Sequence, residues 1–228
     1  MRSFIANSCL VVALLVLALL VGVQSVAYSA DYIAGQLFKL ESYRAIGMDE
    51  ADVYRYAQQT AAYLRGKLVD PNVKVTLAGE ESWFLNEREV LHMVDVRHLF
   101  QLARYAVGLL SLALLLVGVM AWRRSQLANY LKALSRGSAL AILVGILLVL
   151  LVNTDFNRYF TLFHLLSFDN DLWLLDPAAD QLINLLPEQF FANAAGQAAF
   201  RAVGLLLMLS IAGYLASKKR VGGWAGRN

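Results

Sequence analysis

The sequence holds a single cysteine, Cys9, in 228 residues. One thiol excludes an intrachain disulfide and leaves no basis for a cysteine zinc cage. Cys9 falls inside an apolar run, where the expected role is that of a small buried hydrophobe. Charge is scarce too: 16% of residues are charged against 59% hydrophobic, which excludes an ordinary soluble domain and points to the membrane class. No Gly-x-Ser-x-Gly occurs, so an elbow-type serine nucleophile has no support, and nothing marks Ser82 or Ser167.

Charge is missing altogether from four long stretches. The first covers 9–27; Arg104 and Arg123 bracket 18 uncharged residues, Arg136 and Asp155 another 18, and Arg201 and Lys218 only 16. A hydrocarbon core takes about 20 apolar residues at 1.5 Å each, with about 17 the lower limit. The fourth run is short, so Arg201 is expected to snorkel to the headgroups while 189–200 extends the segment. The first run, at about 19 residues, exceeds the roughly 7–15 of a signal-peptide core. It is therefore expected to remain as an anchor despite the small-x-small Ser25-Val26-Ala27.

Acids are absent from three basic flanks. Arg2, then Arg123, Arg124, Lys132 and Arg136, then Lys218, Lys219, Arg220 and Arg227 contain no Asp or Glu among them. The remaining segments hold 11 basic residues and all 17 acids, a net charge of −6. Short Lys/Arg-rich loops stay cytoplasmic, so both termini are expected inside and two mixed-charge segments outside. The overall charge of +3 thus reports topology and gives no sign of nucleic acid. The resulting plan has spans at 8–27, 102–122, 138–154 and 198–217. Between them lie an extracellular cap at 28–101, a cytoplasmic loop at 123–137, an aromatic interfacial segment at 155–197 and a tail at 218–228. The expected fold class is an all-α integral membrane protein, four transmembrane helices with a small mixed α/β extracellular cap.

Within the cap, 49–64 reads as a helix with Val53, Ala57, Ala61 and Leu64 on one face, Asp49 as N-cap and Gly66 as stop. Asp70-Pro71-Asn72 is a turn signal, and Val73, Val75 and Leu77 then alternate with polar residues up to Ala78-Gly79. This strand is expected to pair with 67–69 or with the segment leaving the first span. A second helix opens at Asn86, with Glu89 three residues on as a capping-box variant, and merges into the second span. The later segment carries Phe156, Tyr159, Phe160, Phe163, Phe168, Trp173, Phe190, Phe191 and Phe200. Such aromatics favour the membrane interface.

All three histidines, His92, His98 and His164, fall in these outer parts. Histidine suits proton transfer near neutral pH. Glu89 and Asp95 stand at i−3 and i+3 from His92, neighbours on a helix that are placed to orient or charge-pair the ring. From spacing alone, a hydrogen-bonded interfacial histidine beside solvated acids is the more economical reading. His164, in an apolar aromatic setting, equally fits a satisfied boundary residue. His92, Asp95 and His98 step by three, which spreads them around a helix and converges poorly on one ion. No metal and no cofactor are expected.

Two blocks add a resemblance. Phe84-Leu85-Asn86-Glu87-Arg88-Glu89-Val90-Leu91-His92-Met93-Val94-Asp95-Val96 is the first. The second is Phe163-His164-Leu165-Leu166-Ser167-Phe168-Asp169-Asn170-Asp171-Leu172-Trp173-Leu174-Leu175-Asp176-Pro177. Together they resemble the bacterial lipoprotein intramolecular transacylases, and the likeness extends to the four-span layout. It implies catalytic His92 and His164 at a cap–membrane junction, with Glu89, Asp95, Asn170, Asp171 and Trp173 supporting. Phe156, Tyr159, Phe160, Phe163 and Phe168 would form a lipid groove. The implied reaction moves the sn-2 acyl chain of a diacylglyceryl lipoprotein to the α-amine of its own N-terminal cysteine. The implied partners are that lipoprotein and membrane lipids; oligomeric state is left open. A non-enzymatic scaffold or lipid-binding accessory protein is the alternative, and a metal-dependent membrane hydrolase a more distant one.

Overall fold

The computed structural model describes residues 2–225, with side chains from 7 to 218. The side chains of Arg2, Lys219, Arg220 and Arg227 fall outside that description. Among the described residues, four helices are long and apolar enough to cross a membrane. They are α1 (Arg2–Ala27), α5 (Glu87–Arg123), α6 (Leu127–Val152) and α9 (Glu188–Ala225). Between α1 and α5 come α2 (Ala30–Leu40), α3 (Ser42–Ala45), α4 (Glu50–Leu64), β1 (Lys74–Leu77) and β2 (Glu80–Trp83). Between α6 and α9 come α7 (Phe156–Ser167) and α8 (Gln181–Leu185). The protein is an integral membrane protein, and helix is the form that keeps every backbone bond inside the segment in lipid.

The chain divides into two compact units. The membrane unit comprises the described parts of 1–22, 104–153 and 198–228. Its small core joins Leu14 and Ala18 of α1, Ala141 of α6, and Ala202 and Leu206 of α9. Lipid offers these helices no hydrophobic drive to associate, so close backbone approach supplies the contact instead. Gly22 lies so near the carbonyl oxygen of Ala198 that a Cβ would clash with it, and a Cβ on Gly213 would stand 2.8 Å from the Leu131 oxygen. Ser210 Oγ donates to the Ser135 carbonyl at 3.1 Å, and Tyr130 Oη to the Leu114 carbonyl at 2.9 Å.

One expectation changes here, and helix bounds are added to the expected spans. Cys9 is exposed on α1, not buried; a thiol is apolar enough to face hydrocarbon. Only 124–126 separate α5 from α6, so much of the expected 123–137 loop is helical. Ser125 takes the left-handed conformation, φ 58°, and reverses the chain. Helix bounds and span bounds need not coincide, because a helix carrying Asn129, Lys132 and Arg136 satisfies its own backbone in either solvent. α6 ends at Val152, within two residues of the expected span end at 154.

The polar unit comprises 23–103 and 154–197. Its core gathers Ile33 and Leu37 of α2, Val53 and Tyr56 of α4, Val75, Phe84, Met93 and Leu185. Ser29 caps α2, its Oγ accepting from Tyr32 N at 3.2 Å; neither α2 nor α3 is anticipated above. α4 forms as expected, with Gly66 at φ 78° after its end, although the Asp49 side chain makes no capping bond. Asp52 is buried instead, and its Oδ2 accepts from Thr76 N at 2.6 Å, tying β1 to α4. Burial pushes the Tyr56 phenol above its usual range, so it packs as a neutral ring, edge-on to Phe84 at 5.0 Å.

Of the expected partners of the strand, 67–69 does not pair with it, and the segment after the first span contributes a single antiparallel bridge, Met48 to Leu77. β1 pairs antiparallel with β2, Val75 opposite Ser82 and Leu77 opposite Glu80. Ala78 and Gly79 both have positive φ, 50° and 89°, the geometry of a two-residue primed hairpin turn. β2 is exposed along its whole length, so it buries no face and leaves no alternating pattern to read.

The close helix contacts yield a test. Gly22→Ala and Gly213→Ala should each lower the thermal midpoint in detergent by roughly 3–10 °C, from about 1–3 kcal/mol of overpacking. Gly108→Ala, which meets nothing within 4 Å, should not. Equal midpoints for all three would mean these helices do not approach so closely.

Candidate active site

The first turns of α5 grip the second polar segment. Asn86 Oδ1 accepts from Glu89 N at 3.0 Å, and Glu89 Oε2 accepts from Asn86 N at 2.8 Å. This reciprocal pair satisfies two amides that a helix start leaves orphaned. The other oxygen, Glu89 Oε1, accepts from Leu182 N at 2.6 Å in the first turn of α8. Glu89 is 0% exposed, so one buried carboxylate caps two helices from different segments. Asn86 Nδ2 donates to Asp180 Oδ1 at 2.7 Å, and Asp180 Oδ2 accepts from Asp176 N at 2.7 Å. Arg88 donates to the carbonyls of Asp171 and Leu174. Asp95 Oδ2 accepts from Asn170 Nδ2 at 2.9 Å, while Asn170 Oδ1 accepts from Leu172 N at 3.0 Å.

Those contacts bring His92 and His164 together. The ring centroids are 6.3 Å apart and 28° from parallel, and both side chains are buried. His164 Nδ1 lies 2.7 Å from the Phe160 carbonyl. A carbonyl accepts only, so Nδ1 carries the proton and Nε2 keeps the free lone pair. His92 Nδ1 is buried without a hydrogen-bond partner among the described residues. Aromatic rings enclose the pair. Phe160 meets His164 edge-on at 4.3 Å, with Trp173 at 5.1 Å, Phe163 at 5.4 Å and Phe168 at 5.6 Å. Phe168 also meets His92 edge-on at 5.3 Å.

A family model for the lipoprotein intramolecular transacylase Lit matches residues 8–191. The chain belongs to that family. The structure is similar to the membrane integral transacylase Lit of Bacillus cereus, at 23% identity over 96% of this chain and 98% of that one, with a TM-score of 0.76. Two variants of the same enzyme, with a histidine replaced by arginine or by alanine, align at 22% identity. The first covers 97% of this chain and 95% of that one at TM-score 0.74, the second 96% of each at 0.73. At such identity the likeness establishes the fold. No protein of curated function matches by sequence.

The transacylase family's two blocks thus meet in space, but several residues act otherwise than their spacing suggested. Glu89 makes its hydrogen bonds to the backbone amides of Asn86 and Leu182. Asp95 hydrogen-bonds Asn170 and acts on the His92 imidazole through its charge. Asp171 serves through its carbonyl, and Trp173 packs on His164 directly. Of the five groove residues, Phe160, Phe163 and Phe168 touch the imidazoles. Phe156 reaches only Phe160, at 5.7 Å, and Tyr159 is not among the rings on either histidine. Phe191 joins by packing on Phe160 at 5.0 Å. His98 is exposed. Among the described residues, no three His, Cys, Asp or Glu side chains gather as a metal set. Sequence reading missed Arg88 and Asp180. The quoted block contains Arg88, but no local partner betrays its role, and Asp180 bonds Asn86 from 94 residues away.

Removing the shared carboxylate should loosen both caps. Glu89→Ala is expected to cost about 1.5–3 kcal/mol for each charge-assisted bond lost. It should also speed amide exchange across 169–186, beginning at Leu182 N. Exchange there as slow as in the unaltered protein would mean that Glu89 does not hold the segment.

Proposed function

We propose that this protein moves the sn-2 acyl chain of a diacylglyceryl lipoprotein onto the α-amine of the same molecule's N-terminal cysteine. The observation that carries the proposal is the buried His92–His164 pair in an aromatic enclosure, together with membership of the family. The amine, with a typical pKa of about 7.7–8.0, attacks the ester carbonyl only after losing a proton. One imidazole accepts that proton, and the other donates to the developing oxyanion. The C–N bond forms, the tetrahedral intermediate collapses, and the ester C–O bond breaks. The glyceryl oxygen leaves with the proton the amine gave up. Amide and free hydroxyl balance the ester and amine consumed.

Several features support histidine acid–base work. Two imidazoles buried this close do not both carry charge at low cost, which suits one base and one donor. The tautomer imposed by Phe160 leaves His164 Nε2 with a lone pair available to accept a proton. The phenyl and indole rings are an apolar wall suited to acyl chains. Amine and ester belong to one substrate, so holding them together contributes up to about 7–11 kcal/mol without an enzyme nucleophile. Glu89, Asp95, Asn170, Asp171 and Trp173 are assigned as positioning residues, and Phe156, Tyr159, Phe160, Phe163 and Phe168 as the lipid wall.

A mixture of light- and heavy-acyl lipoproteins, read by mass spectrometry of the N-termini, tests the reaction. The expected products carry no crossed chains; crossed products would demand an acyl-enzyme. His92→Asn and His164→Asn should each reduce turnover by about 10²–10⁴, and the double variant should be little worse than the weaker single. His98→Asn should be far milder. Additive losses would break the idea of one catalytic unit.

The basic flanks Arg123, Arg124, Lys132 and Arg136 support a cytoplasmic position for the α5–α6 link, with both termini on that side and the histidines on the other. In a Cys9→Ala background, Glu81→Cys should label with an impermeant maleimide in intact cells. Ser125→Cys should label only after permeabilisation. The opposite pattern would invert the topology.

A further inference from the structure

The membrane unit contains an apolar groove that the histidine chemistry does not use. It measures about 620 Å³ and is lined by Leu17 of α1, Ser111 and Trp122 of α5, Leu127 and Tyr130 of α6 and Leu209 of α9, among others. Its length follows from the helix that forms its wall. Ser111 to Trp122 is 11 residues, or roughly 16 Å at 1.5 Å per residue. That is about half of a 30 Å hydrocarbon core, the depth of one leaflet. The groove ends at the α5–α6 link, where exposed Arg123, Arg124 and Lys132 follow its lining residues in the chain. No acid occurs between Asp95 and Asp155 to neutralise them.

We propose that this groove is a binding site for an anionic phospholipid of the leaflet on the α5–α6 side. One acyl chain lies between α1, α5, α6 and α9, and the phosphate rests on Arg123, Arg124 and Lys132. The length of the groove fits a single leaflet's chain, and the acid-free cluster at its end selects negative over zwitterionic headgroups. Tyr130 forms part of the wall because α5 has glycine beside it. A Cβ on Gly118 would stand 3.1 Å from the Tyr130 ring, and the phenol instead bonds the Leu114 carbonyl. The site stands apart from the acyl-transfer reading, and lipid retention tests it without reference to turnover.

The full-length protein is equilibrated with mixed vesicles of phosphatidylglycerol and phosphatidylcholine, extracted, washed in detergent and analysed for lipid by mass spectrometry. About one phosphatidylglycerol per chain should remain, with phosphatidylcholine at least fivefold lower. Ser111→Phe, which fills the groove, should remove most of it. The triple change Arg123→Gln, Arg124→Gln, Lys132→Gln should abolish the preference for the anionic lipid. Leu116→Trp, an exposed position outside the lining, should change neither. Equal retention of both lipids by the unaltered protein would overturn the site, as would phosphatidylglycerol retention undiminished in a folded Ser111→Phe protein. The vesicle comparison on the unaltered protein decides even where a variant fails to fold.

Discussion

The polar unit depends on where the Glu89 carboxylate spends its two oxygens. One closes the start of α5 and the other closes the start of α8, 93 residues further along the chain. A buried carboxylate is costly to desolvate unless its lone pairs are met, and here backbone amides meet them on both sides. The histidine on α5 lies one turn past this point, and the histidine on α7 is carried by the segment that the carboxylate helps to hold. Asn86, Arg88 and Asp95 repeat the same logic with Asp180, with the carbonyls of Asp171 and Leu174, and with Asn170. Polar bonds set the register between the two segments, and apolar packing fills in behind them.

Enclosure by aromatics serves two ends in such a site. Rigid rings cost little side-chain entropy to order, and they displace water from around the imidazoles, which strengthens every dipole that remains. An ester and an amine on one flexible lipid gain most from confinement, since rotational freedom is the chief obstacle to their meeting. The protein supplies an aromatic enclosure around two buried imidazoles.

Composition alone makes the membrane layout legible, because hydrocarbon tolerates so few charges that four gaps in the charge record suffice. The Asn86–Glu89 box is legible as well, being local and built from residues with one strong conformational habit. The hairpin is not. β2 buries no face, so its four residues leave no period, and only the two-residue turn at Ala78-Gly79 hinted at it. Charge gaps locate a span within α6 but not the ends of the helix, because hydropathy measures solvent, not backbone. The clasp between α5 and the 169–182 segment was invisible for another reason. Its bonds join residues some 75 to 94 positions apart, often through backbone groups that any residue possesses.

The bond between His164 Nδ1 and the Phe160 carbonyl is an i to i−4 contact within α7. The imidazole thus takes its bearing from the helix that carries it rather than from across the site. The bonds that hold the 169–176 stretch to α5 run through Arg88, Asp95 and Asn170 and use neither imidazole. Ring orientation and segment docking therefore rest on separate sets of bonds, and a change at Arg88 or Asn170 leaves the Nδ1 contact of His164 with its own helix in place.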